Sequence, residues 1–219
     1  MTIFGSAIHK VIEHATKENS IGTLFWRNPV DFILPTLRQY NLSTDEYGDL
    51  AIELVRNAIN WKYFSDLSAL KGCELPFDLT LTDDKTRIKG IIDRLDIIAD
   101  SAEIMDIKTQ KRAFSLLELH KNWQAKIYNI AVRKLHDFVK DVNVSFWVLR
   151  HRKQEIVKTD VDASVDEQEL IQIADYIESV KNPTATTSGL CQWCPYKNEC
   201  SARNHRSSLS RHPGQTTVR

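Results

Sequence analysis

The stretch "RIKGIIDRLDIIADSAEIMDIKT", residues 87–109, alternates apolar and polar side chains in two runs that meet at "ADS", the pattern of an antiparallel β-hairpin. Side chains on a strand point to opposite faces in turn, so Asp106 and Lys108 share one face while Met105, Ile107 and Thr109 share the other. Ile107 is a packing residue; its two neighbours face something else. In the first run Asp93 follows the apolar Ile91 and Ile92, with Asp96 further on, and antiparallel pairing brings Asp93 beside Asp106. Two adjacent carboxylates repel one another unless a cation or a shared proton separates them. A hard divalent ion such as magnesium or manganese solves this, because it takes oxygen ligands and keeps several waters. The competing reading is an ion pair between Asp93 and Lys108 on an ordinary solvent-facing sheet, and the short D-x-K spacing does not choose between the two.

Outward from the hairpin, "LPFDLTL" ahead of the turn signal "TDDK" predicts a preceding strand from about residue 75. Apolar residues at helical spacing in 4–17 predict a first helix that carries His9, with Glu13 one turn later on the same face. Ser43 or Thr44 caps a second helical region running through Leu50, Leu54, Ile59 and Trp61. After the lysine strand, Trp123 to Val139 reads as a helix with Gln124 and Tyr128 facing one groove, then "VNVSFWVLR" and "EIVKTDV" as two strands. Ser164 and Glu167 form a capping box for a last helix that ends near Asn182 and Pro183. The order of helices, three-strand meander, helix and strands predicts an α/β fold.

At 219 residues the chain accommodates one domain with a small appendage. Lys and Arg total 29 and Asp and Glu total 29, so no global field draws it to polyanions and a polyanion site must be local. Lys10, Glu13, Lys17 and Glu18 interrupt any signal-peptide core, and no apolar run approaches the roughly 20 residues that span a bilayer. A soluble, cytoplasmic protein without membrane contact is expected. Residues 201–219 hold four arginines and no acidic residue and read as a disordered basic tail.

In chain order, "GSAIHKVIE", "GIIDRLD", "EIMDIKT", "QAKIY" and "CQWCPYKNEC" resemble the PD-(D/E)XK nuclease superfamily, specifically its RecB-like branch, which includes the RecB and AddB nuclease domains and the CRISPR-associated RecB-like exonucleases. The resemblance runs from Phe4 to Cys200. It implies a restriction-endonuclease-like mixed β-sheet flanked by helices. It also implies Mg2+ or Mn2+ bound by Asp93, Asp106, His9 and the Ile107 carbonyl, with Asp93, Asp106 and Lys108 catalytic. Gln124 and Tyr128 would contact the nucleic-acid strand or buttress Lys108. Glu74, just ahead of the first strand, matches a carboxylate often seen in the family.

Cys191, Cys194 and Cys200 stand at C-x2-C-x5-C spacing, close enough in sequence to close around a soft metal. The resemblance implies three of four ligands of a [4Fe-4S] cluster, whose fourth cysteine the family carries upstream of the histidine motif. No cysteine precedes His9, so a truncated or late-starting chain is expected. Cys73, which otherwise reads as a buried core thiol, and an outside ligand are the candidates for the fourth cluster position, and His205 for a zinc site instead. The expected organisation is a nuclease domain over residues 1–183, a cysteine-rich segment over 184–205 and the tail over 206–219. The expected activity is metal-dependent DNA hydrolysis, as an exonuclease on single-stranded ends in recombination, repair, phage replication or CRISPR adaptation, with helicase, recombination or CRISPR proteins as partners. The alternative is a nucleic-acid-binding subunit of the same fold without turnover.

Overall fold

The computed structural model describes residues 2–19, 30–59, 67–158 and 163–202. Three helices come first, α1 (Ile3–Asn19), α2 (Val30–Gln39) and α3 (Thr44–Ile59), followed by strands β1 (Leu70–Thr80), β2 (Arg87–Ile98) and β3 (Ser101–Lys108). The short α4 (Leu116–His120) and α5 (Trp123–Leu135) then lead to β4 (Asp141–Val148), β5 (Lys153–Lys158) and α6 (Ala163–Ser179).

The strands form one five-stranded sheet in the order β1-β2-β3-β4-β5. β3 and β4 are parallel and every other pairing is antiparallel, so the sheet is mixed. A parallel pair needs a crossover, and α4 with α5 supplies it.

Alternation along β3 and β4 divides the core. Met105, Ile107 and Trp147 pack under α1, α2 and α3 with Ile8, Ile12, Leu37 and Leu54. Ile104, Val144 and Phe146 pack on the opposite face with Ala125, Tyr128, Ala131 and Val132 of α5. β3 is therefore covered on both sides, and the solvent-facing sheet of the competing reading is excluded: Asp106 is 1% exposed and Asp93 8%.

Several boundaries differ from expectation. β1 begins at Leu70, so Glu74 lies inside the strand rather than ahead of it. α5 ends at Leu135, where His136 leaves helical φ and ψ as the C-cap. Ser164 lies inside α6 rather than capping it, and Glu167 instead accepts the Thr82 N–H at 2.6 Å and pairs with Lys134 at 3.0 Å. Ser43 does cap α3, its hydroxyl accepting the Glu46 N–H at 3.3 Å. Trp61, His205 and the tail over 206–219 lie outside the described residues.

The chain divides into two compact units, residues 1–173 and 174–219. The first contains the sheet and both cores. The second contains the end of α6 and a short 3-10 helix, Gly189–Trp193, whose cap Ser188 accepts the Leu190 N–H through its hydroxyl at 3.2 Å. No helix among the described residues is long and apolar enough to cross a membrane.

Candidate active site

Four elements deliver polar side chains to one groove of about 570 Å3, lined by His9 of α1, Glu74 of β1, Asp93 of β2, Asp106 of β3, and Gln124 and Tyr128 of α5. The strand register explains how the carboxylates arrive. β2 pairs with β3 only from Arg94 opposite Met105 onward to Ile98 opposite Ser101. Where the two strands part, Asp93 Oδ2 accepts the Ile107 N–H at 2.7 Å, so a carboxylate takes the donor that a strand carbonyl would otherwise satisfy.

His9 Nε2 donates to the Ile107 carbonyl at 2.9 Å, because a carbonyl oxygen can only accept. Nδ1 is thereby turned to Asp93 Oδ1 at 3.4 Å and Glu74 Oε1 at 3.7 Å. Burial opposes the charged imidazole, yet the neighbouring carboxylates of Asp93 and Glu74, with the charge of Asp106 beyond them, outweigh it and push the His9 pKa up to about 10. Glu74 reaches the groove from a left-handed backbone kink within β1, at φ 50°. Glu13 shares the groove wall with His9, but its carboxylate is spent on Lys10 at 2.8 Å and on Lys17.

Asp106 belongs to a second network. Gln124 Nε2 donates to Asp106 Oδ1 at 2.7 Å, and Gln124 Oε1 accepts from Lys108 Nζ at 2.8 Å. A carboxylate that only accepts and an ammonium that only donates leave one orientation for the Gln124 amide. Lys108 Nζ lies 2.5 Å from Asp106 Oδ2, which makes no directed hydrogen bond of its own. The ion pair is thus with Asp106, not with Asp93 as the competing reading had it. The Tyr128 hydroxyl accepts from Gln124 Nε2 at 2.8 Å and faces the Ile91 carbonyl at 2.8 Å. Burial and then the charge of Asp93 raise the Asp106 carboxyl to about 6, against the pull of Lys108 and His9. Burial followed by the charges of Asp106 and Asp93 raises Tyr128 as well.

The two networks share the groove without merging. Among the described residues, His9, Glu74 and Asp93 are the three whose ligand atoms lie within 4.8 Å of one another, and Asp106 is not part of that group. Of the expected ligands, His9 and Asp93 fall in this group together with Glu74, while Asp106 accepts from Gln124 and pairs with Lys108. The Ile107 carbonyl, expected as a ligand, accepts from His9 Nε2. One imidazole and two carboxylates suit a divalent ion with oxygen preference, and the undirected Asp106 Oδ2 offers a further oxygen. Tyr128 is buried and bonded inward, and Gln124, partly buried, lines the groove.

Cys191, Cys194 and Cys200 are partly buried in the second unit, and among the described residues their sulfurs do not gather within 4.8 Å of one another; His205, the fourth ligand expected for zinc, lies outside the described residues. Cys73 lies in the first unit, beside His9 and Thr16 in a small cavity, where burial pushes its thiol up to about 11.

The family model of the PD-(D/E)XK nuclease superfamily matches residues 2–201, and the chain belongs to that superfamily. No curated protein matches. Among solved structures, SSO0001 is 14% identical with a TM-score of 0.43, covering 81% of this chain and 80% of its own. A proposed exonuclease from Eubacterium rectale is 10% identical with a TM-score of 0.45, covering 88% of this chain and 75% of its own.

Proposed function

We propose that this chain is a Mg2+- or Mn2+-dependent deoxyribonuclease of the RecB-like kind, acting as a cytoplasmic exonuclease on single-stranded ends during recombination, repair, phage replication or CRISPR adaptation. Residues 1–183 are its nuclease domain, 184–205 a cysteine-rich appendage and 206–219 a basic tail. The observation that carries this reading is the Gln124 amide, which holds Asp106 on one side and Lys108 on the other in a groove that also contains His9, Glu74 and Asp93. A solvent-facing ion pair has no need of such a bracket.

His9, Glu74 and Asp93 would hold the ion, with Asp106 beside them. When bound, a divalent ion polarises a phosphoryl oxygen and lowers the pKa of its water. Lys108 Nζ is ion-paired with Asp106 Oδ2, where an ammonium orients an attacking water or offsets charge gathering on the phosphate oxygens. Gln124 fixes the ammonium beside the carboxylate, and Tyr128 accepts a hydrogen bond from the Gln124 amide.

Incubation of the protein with end-labelled single-stranded DNA and Mn2+, beside Asp106→Ala, tests the reading. Degradation by the wild type alone is expected. Equal degradation by both proteins removes the assignment of this site, and binding without cleavage by either points to a subunit that only binds nucleic acid.

A further inference from the structure

A second groove, of about 550 Å3, opens next to the first and is lined by Phe114, Leu117, Lys121, Asn122, Trp123 and Gln124, and by Glu118, whose carboxylate pairs with Arg112. Gln124 lines both. Its amide carries Asp106 and Lys108, so a chain of nucleotides that places a phosphate at those groups and continues past Gln124 enters this second groove.

The composition of the groove selects what lies in it. Leu117 is 63% exposed, and Phe114 and Trp123 are partly so, an apolar and aromatic lining with one exposed ammonium, Lys121. Trp123 is held in position: Lys126 Nζ sits 4.4 Å from its ring centroid, and that ammonium is fixed by Asp166 at 2.8 Å and Glu169 at 3.1 Å. Asn122 anchors the backbone by accepting the Gln124 and Ala125 N–H groups at 2.9 and 3.2 Å. Phe114 leans on Phe146, with ring centroids 5.2 Å apart. A fixed indole and a braced phenyl ring beside a cation form a stacking platform for flat, unpaired bases carried on a phosphate backbone. Bases in a duplex already stack on one another and cannot enter.

We propose that this groove is a base-stacking subsite for single-stranded nucleic acid, with Trp123 as its principal platform and Lys121 on the backbone, and that it favours unpaired over duplex ends. The inference rests on the nuclease reading for the direction of the strand but makes its own prediction about binding.

The test uses the full chain, a fluorescent oligothymidylate and a set of the same oligomer with one abasic residue moved through it. Binding is read by anisotropy with Ca2+ in place of Mn2+. Trp123→Ala weakens binding of the intact oligomer by roughly 5-fold or more, the range that loss of one base–aromatic stack gives, and Trp123→Phe restores most of it. The abasic residue weakens wild-type binding at one or two positions, and at those positions Trp123→Ala loses nothing further. Leu117→Ala, at an exposed position, repeats the positional pattern more weakly if Trp123→Ala does not fold. Equal binding by wild type and Trp123→Ala overturns the subsite, as do a loss that ignores abasic position, the absence of oligomer binding by the wild type, and blunt duplex competing as well as single strand. Position-dependent binding without cleavage in Mn2+ leaves the subsite standing and removes the nuclease reading; cleavage without the positional effect does the reverse.

Discussion

Asp93 Oδ2 accepts the Ile107 N–H at 2.7 Å where β2 and β3 stop pairing, so one carboxylate closes a gap in the sheet and faces His9. Substitution separates these roles. Asp93→Asn keeps an acceptor for the amide, and Asp93→Ala leaves it buried without one. Both lose the charge beside His9, so the difference between them reports the hydrogen bond. In EDTA, urea unfolding is expected to show Asp93→Ala less stable than Asp93→Asn by about 1–3 kcal/mol. Calorimetric titration with Mn2+ should show both weakened by at least the roughly 10- to 100-fold that follows loss of a mere partner of a metal ligand. Equal unfolding of the two variants would mean that the amide finds another acceptor.

Gln124 touches both Asp106 and Lys108, and its removal frees each to move against the other. Gln124→Ala is expected to lower kcat on single-stranded DNA by about 10- to 100-fold. Residues that act as a unit are not additive, so Gln124→Ala combined with Lys108→Ala should be no slower than Lys108→Ala alone. A double variant slower by the product of the two factors would show that Gln124 acts on substrate independently of Lys108.

Part of this arrangement was legible in the sequence because strand alternation and hairpin pairing are local rules: they put Asp106 and Lys108 on one face of β3 and made β2 its antiparallel neighbour, with Asp93 one residue beyond the last paired position. What was not legible follows from departures from those rules. The resemblance named Glu74 but set it ahead of the first strand; it lies inside β1 at a left-handed φ of 50°, which a glutamate does not advertise as Gly or Asn would. α2 carries Pro35 inside it, a residue that reads as a helix breaker. Ser164 and Glu167 have capping-box spacing, but Glu167 finds better partners in Thr82 and Lys134 across the fold. The bonds of Asp106 to Gln124 and its pairing with Lys108 are side-chain contacts that no residue spacing encodes. The cysteine spacing marks three thiols but not where the chain places them.

The kink at Glu74 makes a prediction of its own. A non-glycine residue in the left-handed region carries on the order of 1 kcal/mol of strain or more, which glycine would relieve. Glu74→Gly is expected to unfold at equal or higher urea concentration than Glu74→Gln in EDTA, while both bind Mn2+ more weakly than the wild type. If Glu74→Gly is the less stable of the two, the kink is held by contacts of the side chain and stores no strain.

Gly90 lies opposite Phe77 in the β1–β2 ladder, and both line the active-site groove. A Cβ built at Gly90 stands 2.4 Å from Phe77 Cζ and 2.6 Å from its Cε1, so Gly90→Ala must displace the ring. The expected cost is about 1–3 kcal/mol, the usual range for overpacking. Phe77→Ala removes the obstacle, and adding Gly90→Ala to it should cost much less than in the wild type. Additive losses in this double-mutant cycle would place the strain of Gly90→Ala in the backbone rather than against Phe77.

The wall of the second groove begins at the cap of α4, where Ser115 and Glu118 exchange hydrogen bonds: the Ser115 hydroxyl accepts the Glu118 N–H at 3.3 Å and the Glu118 carboxylate accepts the Ser115 N–H at 2.8 Å. Arg112 adds a guanidinium pair, with Nη1 3.1 Å from Oε2. The Arg112 bonds first, then those from Ser115, draw the Glu118 carboxyl down to about 2. The sign follows from a folded pKa below the ordinary glutamate value: the cap contributes fully above about pH 4.3 and is lost as pH falls through 2. A carboxyl titration followed by NMR should therefore give Glu118 a midpoint near 2 in the wild type and a higher one in Arg112→Ala. Exchange of the Leu119 amide, bonded to the Ser115 carbonyl at 3.1 Å, should be less protected in Arg112→Ala than in the wild type at pH 4, where the variant has begun to lose the cap. An ordinary Glu118 midpoint in the wild type would show that Arg112 does not hold this turn in solution, and the groove would then lack a fixed wall on that side.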